Sequence, residues 1–188
     1  LPILLALLLG WFTFRNRIKG VYFTILTQAL VIITTTLFVG QQAYTGGTNG
    51  ITGYGTLFGF RLADPQTKVW LYLATAVVLF AAFALCRFLT GSRFGRVLRA
   101  IRDGENRARF IGYDPAVYQM IAFCVSAGLA GLAGMLFVLH VGIISPSMMG
   151  IVPSIEMVLW VAAGGRGTLV GAVIGALAVN WAKSLISE

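Results

Sequence analysis

Charge is scarce in this chain. Asp, Glu, Lys and Arg make up 11% of its 188 residues, where about a quarter is usual in a soluble domain. Acidic side chains are scarcest, with six against fourteen basic ones. The two cysteines, Cys86 and Cys124, lie inside apolar blocks without CxxC spacing. That excludes a disulfide framework or a zinc site and leaves them as small packing residues. The single histidine, His140, has no metal-ligand companions. It reads as a helix-end residue bonded to backbone or water, with a metal or proton site as the alternative. No GxxxxGK[ST] motif occurs, so ATP binding of that type is absent from this chain. Gly46-Gly47-Thr48-Asn49-Gly50 has no following Lys and is not a phosphate loop. No hydrolytic or redox constellation is visible.

Apolar residues are abundant instead, at 58%, with a mean hydropathy of +0.87. They come in long blocks, the pattern of an all-α, polytopic transmembrane helix bundle. Leu1–Phe14 is apolar but shorter than the roughly 20 residues of a span. Gly20–Val39 and Val69–Leu89 are full spans, and the threonines of the first can bond carbonyls of their own helix. Between them lies the polar, glycine-rich connection Gly40–Lys68. Asp114-Pro115 is a helix start, Asp as N-cap and Pro at the first helical position, and that helix runs to about His140 or Ile144. Ser145-Pro146-Ser147 breaks the chain and Pro153-Ser154 restarts it. Ile155–Ala163 and Leu169–Ala182, divided by Gly164-Gly165-Arg166-Gly167-Thr168, suggest a discontinuous or re-entrant helix. Small residues four apart (Ala127/Gly131, Ala130/Gly134, and Gly167, Gly171, Gly175) allow close helix packing, within one bundle rather than between copies. With no initial Met and an opening midway through an apolar block, the chain reads as one transmembrane domain over 1–188, truncated at both ends.

Cations set the expected orientation. Arg15-Asn16-Arg17-Ile18-Lys19 holds three, Thr90–Gln119 holds six arginines, and Gly40–Lys68 holds only Arg61 and Lys68. The first and third connections are therefore expected in the cytoplasm and the second outside. In the basic segment, Phe94, Val97, Leu98 and Ile101 fall on one helical stripe. Three readings compete: a loop whose arginines serve topology and lipid headgroups, nucleic-acid binding, and docking into a partner groove. Nothing supports base readout, and the apolar stripe favours docking. Among polar residues within apolar blocks, Glu156 reads first as a first-turn residue favoured by the helix dipole and second as a path-lining carboxylate. Gln28 and Asn180 read first as bundle hydrogen-bonders.

Ser92-x-Phe94-Gly95-Arg96-x-x-x-Ala100-Ile101-Arg102-Asp103-x-Glu105-x-x-Ala108-x-x-x-Gly112 resembles the cytoplasmic loop of inner-membrane permeases of branched-chain amino acid and urea ABC importers. Gly20-Val21-Tyr22-Phe23 leading to Thr45-Gly46-Gly47-Thr48-Asn49-Gly50, and Ile144-Ser145-Pro146-Ser147 leading to Ser154-Ile155-Glu156 and Gly164-Gly165-x-Gly167-Thr168, agree with it. The polar runs Gln41–Gly50 and Pro146–Met157 look most like the urea type; the branched-chain amino acid type is the alternative, and a non-transport membrane scaffold or enzyme subunit the reading from another class. The resemblance implies a multi-pass subunit of the bacterial inner membrane. Its implied partners are a second permease subunit, two cytoplasmic ATPases holding ATP and Mg, and a periplasmic solute-binding protein. The chain itself then carries no cofactor or metal. Within 90–119, the resemblance makes Arg93, Phe94, Gly95, Arg96, Val97, Arg99, Ala100, Ile101, Arg102, Asp103 and Glu105 an ATPase-coupling helix. Gln28, Thr48, Asn49 and Glu156 are the expected solute-path residues, chosen by polarity and depth.

Overall fold

The computed structural model describes residues 2–186 except 17, 19, 53–55, 58, 59, 62, 63 and 166. Arg17 and Lys19 of the first basic cluster, Gly53 of the polar connection and Arg166 of the glycine break therefore lie outside the described residues. The helices are α1 (Pro2–Arg15), α2 (Val21–Gly40), α3 (Gln42–Thr45), α4 (Pro65–Gly91), α5 (Arg93–Phe110), α6 (Pro115–Val141), α7 (Ile151–Gly164) and α8 (Leu169–Ile186). Among the described residues, strand is confined to two-residue pieces, including an antiparallel pair with Thr56 opposite Arg61. The all-α, polytopic architecture expected from the hydropathy blocks is the one found.

Three helices, α2, α4 and α6, are long and apolar enough to cross a membrane. Their side chains are largely exposed, as suits helices whose solvent is hydrocarbon and whose backbone is satisfied internally. The threonines behave accordingly: Thr34, Thr35 and Thr36 donate to the carbonyls of Leu30, Val31 and Ile32, each at 2.8 Å. Thr75 and Thr90 do the same in α4.

The chain divides into two compact units. The first comprises Leu1–Leu26 and Thr52–Ile143. Here α1 lies antiparallel along α6, because Pro2 and Ile3 meet Gly131 and Gly128 while Gly10 meets Met120. A Cβ on Gly131 would stand 2.8 Å from the Pro2 ring, so this glycine supplies the close approach expected of small residues in membrane helices. Gly134, one turn on, meets nothing. Phe14, Phe23 and Phe123 form a mutual aromatic cluster with centroids 5.9 Å apart. Arg15 lies 4.6 Å over the Trp11 ring at the end of α1.

The second unit comprises Thr27–Ile51 and Ile144–Glu188. The directions of α7 and α8 differ by 115°, and glycines hold them together. Gly164 abuts Gly171, and Gly175 abuts the Trp160 carbonyl, so closely that a Cβ at any of the three would overlap backbone. The pairs 164/171 and 160/175 have a constant sum, the register of two helices folded back on each other. Of the expected glycine series, Gly171 and Gly175 pack within the chain while Gly167 meets nothing.

Candidate functional site

The core of the basic segment, Arg93–Phe110, is the helical stretch α5, broken by a kink at Gly104 and joined to its neighbours by two tight corners. At the first, Ser92 ends α4 and starts α5: its N–H donates to the Phe88 and Leu89 carbonyls, and its hydroxyl donates to Leu89 O at 2.7 Å. The same hydroxyl accepts from Gly95 N at 3.4 Å, the N-cap bond of α5. Gly95 is buried against the end of α4, where a Cβ would overlap the Leu89 and Thr90 carbonyl oxygens. Arg99 reaches back to donate to Thr90 O at 3.1 Å and Gly95 O at 3.4 Å. It thereby satisfies a carbonyl that the end of α4 leaves open.

The second corner is a Schellman motif. Gly112, at φ +96, donates to Arg109 O, and Tyr113 N donates to Ala108 O. Asp114 follows at once as N-cap of α6, accepting from Ala116 N at 3.0 Å, with Pro115 in the first turn. The helix start expected at Asp114-Pro115 is thus observed, and α6 ends at Val141. Gly104 is the one interior residue of α5 outside helical geometry.

The apolar stripe of α5 makes contacts within its own chain. Ile101 is 5% exposed, and Phe94 is half-buried, stacked on Tyr118 of α6 at 5.6 Å. Tyr113 meets Tyr118 edge-on at 5.9 Å. The stripe is therefore at least partly used in packing α5 against its own chain. What stays exposed is mostly polar, Arg93, Arg96, Arg99, Arg102, Asp103, Asn106 and Arg107, with Ala100 and the terminal Phe110, 92% exposed, as the apolar exceptions. Val97 and Glu105 are half-buried. Arg102 pairs with the adjacent Asp103 at 3.2 Å in open solvent, and Arg109 with Glu105 at 3.1 Å in a more sheltered position.

The solute-path candidates fall in the second unit. Gly47–Asn49 and Pro146–Met149 each form one 3₁₀ turn, and the two turns are in contact. Gly50 makes that approach possible: at φ +74, a Cβ there would strike the Ile144 carbonyl. Two motifs about a hundred residues apart in sequence are so brought together, with Thr48 and Asn49 exposed beside them and Ser145 and Ser147 hydroxyls bonded at 2.7 Å. Gln28, in α2, has a buried amide oxygen without a partner among the described residues. Glu156 is not in a first turn, since α7 starts at Ile151, five residues earlier. Pro153 sits inside that opening turn, where its missing N–H costs nothing. Glu156 instead accepts from Lys183 of α8 at 3.0 Å. No hydrogen bond among the described residues joins Gln28, Thr48, Asn49 and Glu156 to one another. Asn180 bonds its own helix at Ala176 O, 2.8 Å.

Three side chains that partner the predicted residues escaped sequence reasoning. Lys183, the Glu156 partner, closes an apolar block and could have been flagged as its lone cation. Tyr118, which receives Phe94, and Thr75, bonded to His140 at 2.9 Å, carry no signal of their own. His140 was expected to bond backbone or water; its partner is this hydroxyl of a neighbouring helix.

The family model described as branched-chain amino acid transport system / permease component matches residues 1–188. The chain belongs to that family. This chain is 29% identical over 195 residues to the high-affinity branched-chain amino acid transport system permease protein LivM of Escherichia coli K12, covering 92% of this chain and 46% of LivM. It is 28% identical over 137 residues to the corresponding LivH protein of the same strain, covering 73% and 42%. A probable LivM of Methanocaldococcus jannaschii is 32% identical over 114 residues, covering 58% and 33%. The chain thus spans about half the length, or less, of the curated relatives it matches. No solved structure matches it. Family membership and the three spans place this permease component in the inner (plasma) membrane as a multi-pass chain.

Proposed function

We infer that the chain is the membrane-spanning part of a permease subunit in an ATP-driven ABC importer, with the arginine-rich face of α5 as its contact to a cytoplasmic ATPase. The observation that carries this reading is the capping of α5 at both ends: Ser92 and Gly95 at one corner, Gly112 to Asp114 at the other. The part before the kink at Gly104 is so tied to α4 and the part after it to α6. The exposed cations of α5, Arg93, Arg96 and Arg102, suit an acidic docking surface, and steering by charge suits a contact made and broken in each cycle. The ATPases, holding ATP and Mg, supply the energy. A second permease subunit completes the path, and a periplasmic binding protein delivers solute. The α5 corner faces the cytoplasm by the cation rule.

Urea is the solute we favour. The polar runs Gln41–Gly50 and Pro146–Met157 resemble the urea-type permease, and their contact around Gly50 supports a shared role at the outer mouth. Branched-chain amino acids are the second reading, favoured by what LivM and LivH are named for. Two measurements test the proposal. An Arg96→Glu/Arg102→Glu double variant in the assembled importer should insert normally yet lose stimulated ATPase activity and uptake; normal uptake would sink the coupling role. Uptake of radiolabelled urea and leucine, in cells lacking their own systems, separates the solutes: leucine alone accumulating removes urea.

A further inference from the structure

We propose that the cavity between the start of α4 and the end of α6 binds the phosphodiester headgroup of an anionic phospholipid. It lies in the first unit, at the ends of these helices remote from the α5 corners. Its volume is about 410 Å³, and it is lined by Thr67, Lys68, Leu71, Tyr72, Leu139 and His140. That is within the range of small-ligand sites, about 300–1,000 Å³.

The chemistry of the lining is one-sided. Lys68 brings an ammonium, and Thr67 and Tyr72 bring hydroxyls; none has a hydrogen-bond or ion-pair partner among the described residues. A phosphodiester offers only acceptors and one negative charge, so these donors suit it, and charge-assisted bonds to it are the strong kind. Leu71 and Leu139 give the same cavity an apolar wall, which suits the glycerol and first methylenes of a lipid better than a free ion.

Placement supports a lipid source. Lys68 is in the first turn of a membrane-spanning helix and His140 in the last turn of another, so both stand at the level of a headgroup layer. Beside them, Trp70 and Tyr72 are 72% and 71% exposed, the position of amphipathic rings in an interfacial aromatic belt. His140 is a positioning residue. Its Nε2 lies 2.9 Å from Thr75 Oγ1, whose hydroxyl also lies 2.8 Å from Leu71 O. The same ring meets Tyr72 edge-on at 5.1 Å and holds it against the cavity.

The test is native mass spectrometry of the complete importer, purified from detergent mixed with equimolar phosphatidylglycerol and phosphatidylcholine. Wild type should retain phosphatidylglycerol preferentially. Lys68→Gln should reduce that retention about fivefold, the effect of one cation near a charged membrane surface. Lys68→Arg should preserve it, and Arg87→Gln, near the other end of α4, should leave it unchanged. Equal retention of the two lipids, or equal retention by wild type and Lys68→Gln, overturns the site. Displacement of the lipid by millimolar inorganic phosphate would overturn the lipid assignment in favour of a soluble anion. Circular dichroism of Lys68→Gln, an exposed first-turn position, separates loss of binding from loss of fold.

Discussion

Arg96 and Arg99 stand three positions apart on one helix, and both are exposed, yet the turn at Ser92 gives them different duties. Arg99 bonds the Thr90 carbonyl at 3.1 Å, whereas Arg96 has no side-chain bond among the described residues. Arg99→Gln should therefore lower stability by about 1 kcal/mol, the net worth of one such bond, while Arg96→Gln leaves it unchanged. Thermal unfolding of the two variants in the same detergent checks this, and equal midpoints would return Arg99 to the docking face. Gly95→Ala should cost more, about 1–3 kcal/mol, because its Cβ overlaps two carbonyl oxygens. The sequence placed six arginines in one segment but could not distribute them, since charge is visible in composition whereas a reach back over nine residues depends on a corner. Gly95 was legible as part of a family motif; that it is a steric necessity required the coordinates.

Element boundaries were legible where a local signal sets them. Asp114-Pro115 marks the start of α6 because an Asx cap and an N-terminal proline are read from two adjacent residues. Pro153-Ser154 misled by the same logic, because a proline is also tolerated within the first turn, and α7 opens at Ile151. The α5 stripe was read as apolar and suited to a partner groove, while its contact with Tyr118 was not legible: periodicity reports that a face is covered, not by what. Packing of α7 on α8 was half legible, since glycine spacing implied close approach while the partner positions Trp160 and Gly164 did not announce themselves. The Glu156–Lys183 pair gives that hairpin its own test. Glu156→Lys and Lys183→Glu singly should each lower the yield of assembled complex, and the double exchange should recover most of it. No recovery would mean that the two side chains act through other partners. Gly171→Val should open the hairpin whichever charges are present, since the overlap is with the backbone of Gly164.

For the whole molecule, hydropathy alone delivered the membrane class and its three spans, because burial in lipid demands long apolar helices in the sequence itself. Side-to-side orientation rests on cation counts, and it can be checked directly. In a Cys86→Ala/Cys124→Ala background, a cysteine at Asn49 should react with a membrane-impermeant maleimide in intact cells. One at Arg107 should react only after permeabilisation, and the reverse result would invert the topology. The contact of the Gly47–Asn49 turn with the Pro146–Met149 turn was not legible at all, because nothing local ties segments so far apart. The corner at Ser92 has one more consequence. It contains no spare residue, so its rotational phase is fixed: each residue of an α-helix turns the chain by about 100°. One alanine inserted between Gly91 and Ser92 would leave every side chain of α5 in place along the sequence. It would nonetheless swing the arginine face about a quarter turn around the helix axis, or tear Gly95 from its seat to prevent it. The chain has no slack there to absorb an added residue, and length at this corner is as constrained as any side chain on it.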